Sequence, residues 1–166
     1  MRRALLLVPL ALVLLVPPTW SSAQTKNFRT HLTGAEEAPL PRETPAQGQA
    51  TFQVNDDGTI SFMLIVANID NVFAAHIHCG AAGEAGPVGV TLFTGPVAGG
   101  RFSGVLAEGT LTAPDPGNAC GWTSLSQVLA AMEAGTAYVN VHTNDGVAPP
   151  NTGPGDFPGG EIRGQI

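Results

Sequence analysis

The side chains with the clearest chemical potential lie in the segment AAHIHCG, residues 74–80. His76 and His78 are one residue apart and Cys79 follows directly, in a chain that has only four histidines and two cysteines. In an extended strand alternate side chains point to the same face, so the two imidazoles project together, about 6.7 Å apart along the strand. At that spacing two imidazoles can bind one ion. The segment therefore indicates a metal site or a polar histidine network.

A third histidine lies in a strand-like segment with the same pattern. In AYVNVHT, residues 137–143, Val139 and Val141 form an apolar face, while Asn140 and His142 lie on the opposite face. Three histidines with an open position suit zinc or copper. We therefore predict that His142 completes a metal site with His76 and His78.

The closing segment GEIRGQI, residues 160–166, places Glu161 and Arg163 on its polar side. If the three strands are neighbours in one sheet, all these polar side chains share one outer surface. Two segments rich in Gly and Pro, residues 80–88 and 144–160, begin at its edge and could cover it. Glu161, Arg163 and Asn140 are the candidates to support the ligands. Glu161 and Arg163 are most simply an ion pair or cross-strand contacts.

The alternative is that the histidines bind no metal. Histidines on the polar face of a strand are usually solvated or hydrogen-bonded. We interpret His31 in this way, because nothing in its surroundings pairs with it. The sequence shows no nucleophile elbow, no paired catalytic carboxylates and no phosphate loop, so no catalytic residue is assigned.

The N-terminal segment predicts export. Arg2 and Arg3 precede an apolar run from Ala4 to Val16, and the small residues that follow fit cleavage after Ala23. We expect residues 1–23 to be a signal peptide, no membrane span beyond it, and a secreted or periplasmic protein of residues 24–166 that forms one domain.

Without the two arginines of the leader, five basic residues remain beside 13 acidic ones, a net charge of −8. This charge argues against nucleic acid or an anionic membrane as a partner. Export also makes a disulfide between Cys79 and Cys120 the default state of the cysteines. Because Cys79 points away from the two histidines, it is a poor metal ligand.

The rest of the chain is typical of a β protein. GQATFQV and TISFMLIVANI, joined by the turn NDDG, predict a β-hairpin. One segment, TSLSQVLAAMEAG, has apolar residues at helical spacing and ends at Gly135. We predict an all-β fold, an antiparallel sandwich or barrel of about 7–8 strands with one short helix. The other predicted strands are residues 28–33, 74–79, 89–93, 101–111, 137–143 and 160–166.

Four segments together resemble the chordin-type (CHRD) domain family: HLTGAEEAP, AAHIHCGAAGEAGPV, AYVNVHT and GGEIRGQI. The resemblance extends from about Phe28 to Ile166. It implies a secreted domain with a protein partner, since the family occurs in bacterial secreted proteins and in animal chordins. The chain has one copy and lacks the cysteine-rich modules of chordins, so antagonism of growth factors is not implied.

A looser resemblance is to copper–zinc superoxide dismutases, which hold copper with a His-x-His strand and later histidines. His76, His78 and His142 match those ligands, but a bridging histidine and a zinc subsite are missing. Three functions therefore remain: a secreted binding module with a copper or zinc ion, a metal-free extracellular interaction domain, and a copper redox enzyme. We favour binding over catalysis.

Overall fold

A computed structural model describes residues 26–166, so the predicted signal peptide of residues 1–23 lies outside the described residues. Eight strands, one α-helix and one 3-10 turn make up the fold. The strands are β1 Asn27–Thr33, β2 Gln47–Val54, β3 Ile60–Asp70, β4 Val72–Cys79, β5 Val88–Thr94, β6 Arg101–Leu111, β7 Ala137–Thr143 and β8 Ile162–Gln165; the 3-10 turn is Gly34–Glu36 and the helix α1 is Leu125–Glu133.

The strands form one antiparallel sheet in the order β5-β4-β7-β8-β1-β2-β3-β6. Its two edge strands, β5 and β6, approach each other, so the sheet curls into a nearly closed barrel. The predicted all-β antiparallel fold is confirmed, and the barrel rather than the sandwich is its form. The predicted hairpin is also confirmed, because all of β2 pairs with residues 60–67 of β3 across the turn at residues 55–58.

The barrel interior holds the hydrophobic core. Ile77 of β4, Val139 and Val141 of β7 and Ile162 of β8 are all fully buried in it. Because side chains alternate along a strand, the neighbours of these residues point outward. The same alternation that builds the core therefore assigns the three histidines to the outer face of the sheet.

The helix α1 packs against the core with one apolar side. Leu125, Val128 and Met132 are buried at helical spacing, and the helix ends just before Gly135, as predicted. None of the helices in residues 26–166 has the length and apolar character needed to span a membrane.

The predicted disulfide is present between Cys79 and Cys120, and it closes a separation of 41 residues. It joins the end of β4 to the segment before α1. Since Cys79 directly follows His78, the bond fixes the end of the strand that carries two of the three candidate ligands.

We expect replacement of both Cys79 and Cys120 by serine to lower the free energy of unfolding by about 4 kcal/mol, since a loop of about 40 residues is no longer closed in the unfolded chain. Chemical denaturation of oxidised and reduced wild type and of the double variant measures this loss. A double variant as stable as the oxidised wild type would show that the bond contributes nothing.

Candidate metal centre

The structure brings the three predicted histidines together. His76 and His78 extend from β4 and His142 from β7, and one nitrogen of each lies within 4.8 Å of the others. The ring centroids are 4.9 Å apart for His76 and His142 and 5.5 Å apart for His78 and His142. In residues 26–166 this is the only group of three or more His, Cys, Asp or Glu side chains so arranged. We call it the histidine pocket.

Strand pairing alone does not explain why the rings meet. His142 lies opposite Ala74 and His78 lies opposite Tyr138, so the two backbones are four residues, about 13 Å, apart along the strands. The side chains of His78 and His142 therefore lean toward each other along the strands, so that their ring centroids are only 5.5 Å apart. β5 has register shifts against β4 on either side of this region, between Ala75 and His76 and between Ile77 and His78. Such irregularities are common beside functional sites, where they redirect side chains.

The segment 80–87 holds the ring of His78. Nδ1 of His78 lies 2.9 Å from the carbonyl oxygen of Gly86, so this nitrogen must donate a proton and Nε2 keeps its lone pair. The hydroxyl of Tyr138 also donates to that oxygen. Residue 86 must be glycine, because a Cβ there would lie 1.6 Å from the carbonyl oxygen of Cys79.

The segment 144–161 holds the ring of His142 in the same way. Nδ1 of His142 donates to the carbonyl oxygen of Pro158 at 3.0 Å. The free Nε2 atoms of His78 and His142 then face each other at 3.3 Å. Two nitrogen ligands of a tetrahedral zinc ion, each about 2.05 Å from the metal, are separated by about 3.4 Å. The loop carbonyls thus set these two nitrogens at the distance that separates two ligands of one metal ion.

Burial keeps these rings neutral. Removal from water lowers the pKa of His78 to about 4, and the nearby His76 and Arg163 also lower it. Removal from water lowers the pKa of His142 to about 3, again with contributions from the neighbouring histidines. Neutral imidazoles are the form that binds metal, so no proton has to leave the pocket at neutral pH.

His76 completes the pocket and is its most accessible member. Burial lowers the pKa of its ring, while the charge of Asp115 opposes that shift. Its Nδ1 atom is enclosed and has no hydrogen-bond partner. A buried ring nitrogen without a partner is expensive unless a ligand or a water occupies it, so this ring too is free to bind.

The predicted supporting residues are buried in the same region, but Glu161 and Arg163 do not form the ion pair considered above. Glu161 is fully buried and accepts hydrogen bonds from the hydroxyls of Thr44 and Thr143 and, at 2.8 Å, from the backbone N–H of Gly155. These bonds fasten the segment 144–161 to β7 and to the segment before β2. Glu161 therefore holds the loop that presents Pro158 and lies outside the group of three histidines.

Arg163 supports the other loop. Its guanidinium donates to the carbonyl oxygens of Glu84 and Ala81 at 2.7 and 2.8 Å. It also covers the ring of Tyr138, 3.5 Å from the centroid, and Tyr138 in turn stacks on His78 with centroids 4.9 Å apart. Asn140, the third candidate, pairs in register with His76 and Arg163 but donates to Glu37.

The sequence analysis did not recognise the roles of several residues of the site. Tyr138 has the same strand parity as Asn140 and His142, so its alternation placed it on the correct face. Gly86 and Pro158 act through backbone oxygens, which leave no side-chain signal. His31 lies exposed on β1, away from the histidine pocket.

Comparison with known families gives one match. Residues 28–166 match the CHRD domain family. The chain belongs to this family. No curated protein and no solved structure matches the chain. Membership indicates that this CHRD domain is an extracellular binding module.

We expect ¹⁵N NMR of the metal-free CHRD domain to show His78 and His142 as neutral rings protonated at Nδ1 at pH 6. Their low pKa values predict that this state persists as the pH falls to 5. Protonation of His78 or His142 between pH 7 and pH 5 would contradict the burial of the pocket.

Proposed function

We propose that this protein is an exported binding module that holds one copper or zinc ion through His76, His78 and His142. The observation that carries the proposal is the contact between two lone-pair nitrogens, Nε2 of His78 and Nε2 of His142, at 3.3 Å. Both rings donate a hydrogen bond from Nδ1 to a loop carbonyl. Neither can donate to the other, so the contact is unfavourable until a cation binds between them.

The donor set favours these two metals. Three neutral imidazoles without a carboxylate or thiolate suit zinc and copper better than calcium or magnesium, which prefer oxygen ligands. Cys79 is unavailable because it is bonded to Cys120. The carboxylate oxygens of Glu161 already accept hydrogen bonds from two hydroxyls and a backbone N–H. A fourth position would remain for water or for a group of a partner.

The residues behind the ligands fit a metal site as well. A metal-bound histidine usually donates its second ring nitrogen to a carbonyl or carboxylate, which fixes the ring and strengthens the ligand. Gly86 and Pro158 supply such carbonyls to His78 and His142. The stack of Arg163, Tyr138 and His78 restrains one ligand further. Two of the three proposed ligands are therefore oriented in advance, and the third, His76, is the most accessible of the three.

We expect isothermal titration calorimetry of the metal-free protein to show one Cu(II) or Zn(II) ion bound per chain. His78→Ala should abolish binding, because it removes one ligand and the ring that faces His142. The matched control is His31→Ala, which removes an exposed histidine outside the pocket and should bind as the wild type does.

The other candidate functions predict different results. A wild type that binds neither ion would eliminate the metal and would leave a metal-free interaction domain. If copper binds, a superoxide assay of the copper-loaded protein distinguishes a binding module from a redox enzyme. For a binding module we expect no dismutase activity above that of His78→Ala with copper added.

We also propose that the protein is exported and that residues 1–23 are removed. The disulfide between Cys79 and Cys120 supports this, since such bonds persist in oxidising compartments. Intact mass measurement of the protein recovered from outside the cytoplasm should give a chain that begins at Gln24. A recovered chain that begins at Met1 would contradict cleavage.

A further inference from the structure

One buried acid is not used by the histidine pocket. Glu37 lies in the segment 34–46 between β1 and β2 and is only 6% exposed. In residues 26–166 the ion pairs are Lys26–Glu133 and Arg101–Asp70, so Glu37 has none. A buried carboxylate without an ion pair is strongly disfavoured. Its environment therefore needs an explanation.

The charged groups around Glu37 make other contacts, although Nε of Arg42 is buried and has no hydrogen-bond partner. Arg163 donates to the carbonyls of Ala81 and Glu84, and the guanidinium of Arg42 lies over the ring of Phe157 at 4.7 Å. The two acids of the neighbouring loop have partners of their own: Glu161 binds threonine hydroxyls, and Asp156 binds the hydroxyl and the backbone N–H of Thr152. Neither guanidinium forms an ion pair with Glu37, although the charges of both favour its ionised form.

Two buried oxygens beside Glu37 lack a donor. Nδ2 of Asn140 donates to Oε2 of Glu37 at 3.4 Å, but Oε1 of Glu37 and Oδ1 of Asn140 have no partner. Both lie against the backbone of Gly160, where a Cβ would be 2.8 Å from Oε1 and 2.5 Å from Oδ1. The two acceptors lack donors and lie against the same backbone. A proton on Oε1 of Glu37 would let it donate to Oδ1 of Asn140.

We propose that Glu37 carries a proton in the folded protein and forms a cyclic acid–amide pair with Asn140, which acts as a pH-sensitive latch on the cover of the histidine pocket. In this pair, Nδ2–H of Asn140 donates to Oε2, and the protonated Oε1 donates to Oδ1. Both unpartnered oxygens are thereby satisfied. The cover consists of the segments 34–46 and 144–161, which meet at Gly160 and at Glu161.

The electrostatics of the site agree with this pair. Removal from water, the largest influence, raises the pKa of Glu37 from 4.5 to about 7, while Asn140, Arg163 and Arg42 lower it. Because the folded-state value lies above the unfolded one, the latch contributes fully below pH 4.5. Its contribution is lost as the pH rises to about 7. The cover should therefore be fastened in mildly acidic solution and loosened above neutral pH.

Ionisation would also act on the pocket itself. It would place the carboxylate against Oδ1 of Asn140 and attract it toward Arg163, which stacks on Tyr138 and through it contacts His78. This regulation of metal uptake rests on the proposed function, but the latch does not, because no metal takes part in it. The test is therefore made on the metal-free protein.

Glu37→Gln tests the latch directly, since a glutamine amide can form the same two hydrogen bonds with Asn140 without a proton that titrates. The free energy of unfolding is measured for wild type and variant from pH 5 to pH 9. We expect near-equal stability at pH 5 and a growing advantage of the variant up to about pH 7.5. From the values 4.5 and about 7, the limit is about 300-fold in the folding equilibrium constant. The exposed neighbour Glu36→Gln is the control and should follow the wild type.

A variant that is less stable than the wild type at every pH above 5 would overturn the proposal, because Glu37 would then be ionised throughout. If Glu37→Gln does not fold, ¹³C NMR of the carboxyl groups of the wild type decides. A protonated Glu37 at pH 6 supports the latch, and an ionised one overturns it. If the wild type has a protonated Glu37 but binds neither zinc nor copper, only the metal function is refuted. If it binds metal in a way that depends on His78 but has an ionised Glu37, only the latch is refuted.

Discussion

The structure of the site depends on two hydrogen bonds from imidazoles to backbone carbonyls. His78 donates to Gly86 and His142 donates to Pro158, so each ring presents a lone pair at Nε2. These lone pairs meet at 3.3 Å inside a region from which water is largely excluded. Without the two carbonyls the rings could turn and bind each other as donor and acceptor. With them, a cation is the partner that both nitrogens lack.

The remainder of the outer face serves to hold those carbonyls in place. Arg163 binds the backbone of the segment 80–87, and Glu161 binds that of the segment 144–161. The disulfide fixes the end of β4 next to His78. Most of these contacts end on backbone atoms of loops rich in Gly and Pro. The buried side chains of Arg163 and Glu161 thus stabilise two loops that have no regular secondary structure.

Much of the fold was predictable from alternation alone. β6 and β7 have the bounds that their alternating residues predicted, and the helix was found from the spacing of Leu125, Val128 and Met132. Strand parity also placed the three histidines on one face. Parity could not supply the strand order. It therefore could not show that the residue opposite His142 is Ala74 and not His78. It also could not show the backbone carbonyls that turn the rings toward each other.

Glu37 and Tyr138 show two different limits of sequence reasoning. Tyr138 carried a signal, because it shares its face with Asn140 and His142, and only its role was unrecognised. Glu37 carried none, since it follows a 3-10 turn in a segment without periodicity, and its burial results from contacts with residues more than 100 positions away. Of the two alternatives for Glu161 and Arg163, an ion pair or cross-strand contacts, the ion pair does not form. Glu161 accepts from threonine hydroxyls and a backbone N–H, and Arg163 donates to loop carbonyls.

X-ray absorption spectroscopy of the zinc-loaded protein tests the convergence of the three imidazoles most directly. We expect a first shell of three imidazole nitrogens at about 2.0–2.1 Å and one further light atom, without sulfur. The His142→Ala variant should lose one of those imidazoles. A shell of oxygen atoms only, or a spectrum that is unchanged in His142→Ala, would contradict a metal site built from these three histidines.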